Sequence, residues 1–187
     1  MREKSGIRGS SMTIYYGEFS TTLGTVLMAA TKRGLSLVWL CHSDKPIATQ
    51  LTEMQSEYPQ ANWVKDADTL QEYVTQLQDF LSGHCTDFCP RLDVLKGTTF
   101  QRDVWDALRQ LPVGTTITYQ ELAERINHPK ATRAVANACG SNVLAIAIPC
   151  HRVIRHDGIL TGYRWGIAWK KRLLAIESNI PYQQALF

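Results

Sequence analysis

Residues 118–140 read TYQELAERINHPKATRAVANACG, and this stretch decides how the second half of the chain folds. Thr118 stands before a helical run with Glu121 three places on. That is a capping box, in which the Thr side chain accepts from an N3 amide and the Glu reaches back to the Thr amide. The helix it starts ends near Asn127-His128-Pro129, because a proline pushes its predecessor out of helical space. A second helix runs from Ala131 to Cys139, with Gly140 as its stop. Two short helices across a tight turn predict a helix-turn-helix. The second helix is built of small residues (Ala131, Ala134, Ala136, Ala138, Cys139) around one projecting Arg133. Small side chains let a backbone approach either a core or a narrow minor groove. Only Arg133 favours the groove.

Downstream lies Ile148-Pro149-Cys150-His151-Arg152-Val153-Ile154. Pro149 fixes its own φ and drives Ile148 toward extended backbone, so the apolar run 143–148 should end in a rigid turn that presents Cys150. A free thiol is only about 3 % ionised at pH 7, so a nucleophilic role needs a neighbouring base or positive charge. His151 and Arg152 are the local candidates. A buried cysteine acting as a small hydrophobe fits the same spacing.

Upstream, Ile14–Phe19, Gly24–Ala30 and Leu35–Leu40 are β-rich runs separated by turn residues and predict an antiparallel meander. Residues 46–57 predict a helix. Leu70, Tyr73, Val74, Leu77, Phe80 and Leu81 fall on one helical face, which makes 68–81 an amphipathic helix with Gly83 past its end. Residues 82–96 read as an irregular junction. Phe100, Val104, Trp105, Leu108 and Leu111 then form one face of a helix stopped by Pro112 and Gly114. The fold class is therefore α/β (α+β): a small N-terminal antiparallel sheet with helices, then a mainly helical unit. Expected boundaries are 1–11 as a disordered leader or cloning remnant, with Met12 as a natural start, 12–92 as the first domain and 93–187 as the second.

A hydrophobic fraction of 44 % and a charged fraction of 20 % over 187 residues are those of a globular protein with a real core. No apolar run approaches the roughly 18 residues of a membrane span and no signal peptide is visible, so a cytoplasmic protein without membrane contact is expected. Five cysteines, an odd number without framework spacing, suit free thiols in a reducing compartment. His84, Cys85 and Cys89, even with Cys41 and His42, lack zinc spacing, and no metal is expected. Between Thr118 and Arg172 the charge is +6, against −3 for the remainder. A basic half of this kind points to a polyanionic partner. Lys170, Lys171 and Arg172 read as the solvated face of a helix.

Tyr119, Arg133-Ala134-Val135, Gly140-Ser141-Asn142, the Pro149-Cys150-His151-Arg152-Val153 core, Gly162-Tyr163-Arg164-Trp165-Gly166 and Glu177 together resemble the O6-alkylguanine-DNA alkyltransferases. The likeness covers Gly97 to Glu177 and is greatest to the C-terminal half of the bacterial adaptive-response alkyltransferase. The first ninety residues resemble the family's variable, ribonuclease H-like domain only loosely. The resemblance implies that Cys150 takes the alkyl group from O6 of a flipped-out guanine in one SN2 step, irreversibly. It implies that His151, oriented by Glu177 and acting through a water, accepts the thiol proton. Asn142 would pin the turn before an active-site strand, and Tyr119 would donate its hydroxyl toward the guanine ring. Substrate contacts would come from the Cys150 and Val153 carbonyls and from Tyr163. Arg164 and Trp165, bulky where many members are small, would narrow the pocket against large adducts. Arg133 would replace the extruded nucleotide in the stack, with Thr132, Ala134, Ala138, Gly140, Ser141 and Arg152 beside it on the DNA. The implied partner is double-stranded DNA containing O6-alkylguanine, bound by a monomer that could cooperate along the duplex, with no cofactor.

Three other readings compete. A lesion-binding module that flips the base without reacting would carry Trp where Cys150 stands. A helix-turn-helix regulator would have an incidental cysteine, and a Cys-His hydrolase leaves Tyr119 and Arg133 without a purpose. The cysteine-rich, gene-activating domain of the adaptive-response protein is not recognisable in the chain, so a sensor role is not expected.

Overall fold

The computed structural model describes residues 12–160 and 162–178; the leader assigned to residues 1–11 lies outside them. Strands β1 (Thr13–Thr21), β2 (Gly24–Thr31) and β3 (Gly34–Leu40) form the expected meander, with Tyr15 opposite Ala30 and Met28 opposite Val38. All seven residues of β3 are buried, as a continuous apolar run with both faces covered requires. Helix α1 (Ile47–Gln55) then crosses to β4 (Asn62–Lys65), which pairs parallel to β1. The strand order is β3-β2-β1-β4, so the sheet is mixed rather than antiparallel throughout. β4 escaped the sequence because Asn-Trp-Val-Lys is short, half polar and mostly exposed. A 3₁₀ turn, Asp68–Leu70, leads into α2 (Gln71–Leu81), which buries Val74, Leu77, Phe80 and Leu81.

The outer edge of β3 is closed by two later segments. Leu35 exchanges backbone hydrogen bonds with Arg91 and Asp93 (2.9 and 2.8 Å), and Val38 with Val143 and Ala145 (3.0 and 3.1 Å). Gly34 is required where the first of these passes, since a Cβ there would stand 2.7 Å from the Arg91 carbonyl oxygen. The segment before Cys150 is thus docked on the edge of the N-terminal sheet, and one hydrophobic core runs through both halves.

Helix α3 (Thr99–Arg109) opens on a capping box of Thr98 and Gln101, which the sequence reading did not mark. Helix α4 (Tyr119–Arg125) opens on the expected box: the Thr118 hydroxyl accepts from the Glu121 amide at 3.1 Å, and the Glu121 carboxylate accepts from the Thr118 amide at 2.7 Å. The chain leaves α4 through Asn127 at φ 59°, a left-handed cap whose following amide, His128, donates to the Ala123 carbonyl. Helix α5 (Thr132–Gly140) completes the helix-turn-helix, tied to α4 by the Thr132 hydroxyl donating to Gln120 Oε1 at 2.6 Å. Gly140 is the last residue of α5, not a stop beyond it. A parallel pair, β5 (Ile117–Thr118) with β6 (Val153–Ile154), joins the start of α4 to the end of the Cys150 turn. Helix α6 (Ile167–Ser178) closes the fold.

Candidate active site

No strand precedes Cys150. The run 143–149 makes one bridge, at Leu144, and then turns twice. The Ala147 amide donates to the Ala145 carbonyl at 2.7 Å around Ile146, whose φ is +68°. A β-branched residue in that region is strained and persists only where its surroundings hold it. The Cys150 amide donates to the Ile148 carbonyl at 2.8 Å around Pro149, at φ −80° and ψ 58°. That is an inverse γ-turn, which a fixed proline φ favours. Cys150 then opens the 3₁₀ turn Cys150–Arg152.

Asn142 secures this loop. Its Nδ2 donates to the Ile148 carbonyl at 2.9 Å and to Cys150 Sγ at 3.1 Å, while its Oδ1 accepts from the Leu144 amide at 2.8 Å. Cys150 is buried, and burial raises the pKa of its thiol against the lowering effects of the Asn142 hydrogen bond and nearby Lys170.

His151 is fully buried, with Nε2 2.8 Å from Glu177 Oε1. An ionised carboxylate can only accept, so Nε2 carries the proton and Nδ1 presents a lone pair. Nδ1 is buried and meets no polar group of the described residues. Burial lowers the pKa of the imidazole, against the opposing pull of Glu177. Glu177 itself is 1 % exposed. Burial would raise its pKa, but hydrogen bonds and charge from His151 and Arg152 overcome this and hold it at about 2.

Arg152 corrects an expectation. It is not on the DNA side: its side chain is 4 % exposed, Nε and Nη2 donate to the Glu177 carboxylate at 2.9 to 3.2 Å, and Nη1 donates to the Leu111 carbonyl at 2.6 Å. Two of its five N–H groups are left over, so burial rather than a shortage of donors keeps the guanidinium from a phosphate. Lys170 corrects another. It is fully buried rather than solvated, and donates to the Val153 carbonyl at 2.7 Å, while Lys171 and Arg172 are exposed. The Val153 and Cys150 carbonyls both already accept an internal hydrogen bond, from Lys170 and from the Val153 amide.

Tyr119, at the first turn of α4, is half-buried, and its hydroxyl is pushed up to about 12 by burial and by the sulfurs of Cys139 and Cys150. The Tyr163 hydroxyl is buried and meets no polar group of the described residues; its ring lies edge-on to His151 at 6.5 Å. Arg164 and Trp165 do not simply narrow a pocket. Trp165 is 1 % exposed and packs edge-on against Trp39 of β3 at 4.8 Å. The Arg164 guanidinium lies over both indoles and pairs with Glu57, just past α1. Their bulk fills the seam with the N-terminal sheet.

On α5, Arg133, Ala134 and Gly140 are exposed, and Thr132 and Ser141 are half-buried. Ala138 is not on this face: it is 1 % exposed, and its carbonyl accepts from Trp105 Nε1 at 2.8 Å. Ser141 is held between Gln101 and the Ala138 carbonyl. Asn137, which the sequence reading passed over, is exposed on the same face as Arg133 and is reachable by i+4 spacing. Among the described residues no three His, Cys, Asp or Glu side chains gather as a metal site, and no helix is long and apolar enough to cross a membrane.

Two family profiles match the chain: the ribonuclease-like domain of 6-O-methylguanine DNA methyltransferase over residues 14–94, and its DNA binding domain over residues 99–179. The chain is 42 % identical over 171 residues to the bifunctional transcriptional activator/DNA repair enzyme Ada of Escherichia coli, covering 91 % of this chain and 47 % of Ada. It spans about half the length of Ada and of the Salmonella typhimurium regulatory protein ada. The methylated-DNA–protein-cysteine methyltransferase of Methanosarcina acetivorans is 38 % identical, with 89 % of this chain matching 99 % of that one. A crystal structure of Mycobacterium tuberculosis OGT in complex with DNA superposes with a TM-score of 0.74 at 32 % identity, covering 92 % of this chain and 99 % of that one. With both domains matched and an archaeal relative aligned almost end to end, the chain belongs to the 6-O-methylguanine DNA methyltransferase family.

Proposed function

We propose that this chain repairs duplex DNA by direct reversal, moving the alkyl group of an O6-alkylguanine onto Cys150 in a single irreversible turnover. The observation that carries the reading is the His151–Glu177 pair, which leaves Nδ1 as a bare, buried lone pair one residue from a thiol that Asn142 holds. In the transfer the thiol proton passes through a water to His151 Nδ1, the sulfur forms a bond to the alkyl carbon, and the carbon–O6 bond breaks with its electron pair left on the guanine. A nucleophile, a base and a group orienting the base are the parts such chemistry needs. Tyr119, kept protonated at neutral pH by a pKa of about 12, offsets charge that builds on the leaving base. The product is a thioether, which neither ionises nor leaves readily, so the protein is consumed and no cofactor takes part.

The helix-turn-helix would meet the minor groove through α5, with Arg133 entering the stack in place of the flipped nucleotide. Flipping costs a few kcal/mol and less at a mispaired base, which biases capture toward lesions. Tyr163 would wall the base pocket, and the exposed Ala134 and Gly140 would let the helix approach the backbone closely. The names of the relatives, methylated-DNA–protein-cysteine methyltransferase among them, support this reading. Five cysteines, none in a disulfide, suit a reducing cytoplasm.

Intact-mass spectrometry after incubation with an O6-methylguanine duplex tests it. One added methyl group, mapped to Cys150 and absent from Cys150→Ala, is expected. An unchanged parent mass sinks the proposal and favours a non-reacting binding module.

A further inference from the structure

We propose that Glu57, just past the N-terminal helix α1, is a positioning residue for alkyl transfer: its carboxylate grips Arg164 and so fixes the loop 162–166 that carries Tyr163 beside His151. This rests on the reading of Cys150 as the alkyl acceptor and deepens it with a residue from the N-terminal half of the chain.

The loop does not hold itself. Gly162 and Gly166, at φ +61° and +90°, bound it and leave its backbone a freedom that side chains must remove. Of those side chains, the Tyr163 hydroxyl and Trp165 Nε1 are buried and meet no polar group of the described residues. Packing sets Trp165 on Trp39 but gives it no hydrogen bond. Arg164 supplies the directional contact: its Nη2 donates to Glu57 Oε1, while the guanidinium lies 4.8 Å over Trp39 and 5.1 Å over Trp165.

Glu57 is itself anchored. Its amide donates to the carbonyl of fully buried Met54 at 3.2 Å. Its Oε2 accepts from Lys96, whose ammonium also stands 5.3 Å over the Tyr58 ring, just ahead of α3. One carboxylate, 15 % exposed, thus joins the end of α1, the approach to α3 and the loop of Tyr163. An isolated surface pair would hold little, whereas a sheltered network of three charges bracketed by aromatic rings holds more. From Arg164 the constraint reaches the chemistry in one residue, because the neighbouring Tyr163 ring lies edge-on to His151 at 6.5 Å.

Single-turnover methyl transfer from an O6-methylguanine duplex, followed by intact mass over a range of protein concentrations, separates the transfer constant from DNA affinity and from the final fraction methylated. A misplacement of about 1 Å can cost about 100-fold in rate, so Glu57→Gln should lower the transfer constant about 10- to 100-fold, with DNA affinity within about twofold of the parent and methylation still running to completion. A smaller final fraction at an unchanged transfer constant would mean lost stability alone and overturns the proposal. Because Glu57 acts through Arg164, Glu57→Gln introduced into an Arg164→Gln background should slow transfer by less than about twofold further. Full additivity there overturns the proposal. Should Glu57→Gln fail to fold, Glu57→Asp decides, since it keeps the charge and draws it back from Arg164. Its transfer should be at least about threefold slower, and the parent's constant overturns the proposal. A parent that gains no methyl group refutes the repair reading and this role together, whereas a reactive parent whose transfer constant is indifferent to Glu57→Gln overturns this role alone.

Discussion

Nε2 of His151 lies 2.8 Å from Oε1 of Glu177 with both side chains closed to solvent, and the same carboxylate takes three hydrogen bonds from Arg152. One anion thus orients the imidazole and balances a guanidinium. The Gly114 amide also reaches it, at 3.4 Å, across a backbone at φ +76°. Removing one partner of a buried ion pair costs about 3–5 kcal/mol, because the other is left uncompensated. Glu177→Gln should therefore lose stability of that order in equilibrium urea unfolding. Its methyl transfer, measured as a single-turnover rate on duplex DNA, should slow by about 10²–10⁴-fold, the usual worth of a positioned base. A variant as stable and as fast as the parent would show that the pair is incidental.

Three buried groups of the site contribute to the pH dependence of stability. His151 has its pKa lowered from 6.5, so the stability linked to its neutral form is complete above pH 6.5 and is lost as pH falls toward the folded value. Glu177, held at about 2 against 4.5 when free, contributes stability above pH 4.5 that is lost as pH falls toward 2. Cys150 has a raised pKa, so its contribution is complete below 9.0 and is lost as pH rises beyond it. Denaturant unfolding from pH 4 to 10 should show a plateau between about 6.5 and 9 with a fall on each side. Cys150→Ala should reduce the alkaline fall, leaving the part set by the raised thiols of Cys41 and Cys139, and keep the acid one.

Asn142→Ala would strip the Leu144 amide of its buried acceptor and take the hydrogen bond from Cys150 Sγ, while the Ile148 carbonyl would lose one donor and keep the Cys150 amide. Unsatisfied buried groups cost about 1–3 kcal/mol each. The strained φ of Ile146 leaves the loop little reserve once that clamp is gone. Thermal melting should drop, and the pH profile of Cys150 alkylation by iodoacetamide should move to higher pH. A melting loss without any movement of the profile would restrict Asn142 to holding the loop.

Local patterns carried most of the fold in the sequence. The Thr118 and Glu121 box, the small residues of α5 and the period of Leu70 to Leu81 each set an element from within a dozen residues. β4 did not show, because its pairing with β1 depends on α1 folding in between. The site divided the same way. Pro149 foretold a turn before Cys150, but the two γ-turns at Ile146 and Pro149 depend on Asn142 and on the edge of β3. Arg152 and Lys170 read as surface cations because sequence reports a charge and not its partner. Their burial follows from Glu177 and from the Val153 carbonyl, 25 and 17 residues away.

Arg133 is exposed at the start of α5. Arg133→Ala should change stability by less than about 0.5 kcal/mol, the range for surface substitutions. Its repair of duplex DNA should slow far more than its reaction with free O6-alkylguanine base, because only the duplex requires flipping. Equal slowing on both substrates would remove Arg133 from that role.

Trp165 and Arg164 separate pocket width from domain docking. Trp165→Ala empties a site packed against Trp39, and a large-to-small change of this kind costs about 3–5 kcal/mol. Arg164→Ala loses the Glu57 ion pair and the stacking over Trp39 and Trp165, a cation–π contact worth about 0.5–2 kcal/mol. If these side chains act by holding the loop 162–166 to the N-terminal sheet, both variants should lower the melting temperature and slow methyl and benzyl transfer in proportion. Single-turnover rates on matched O6-methylguanine and O6-benzylguanine duplexes supply the ratio. A selective gain in benzyl transfer by Arg164→Ala would instead place the guanidinium in the path of the adduct, since truncating a docking group relaxes the loop for every substrate and truncating a steric wall favours only the larger one.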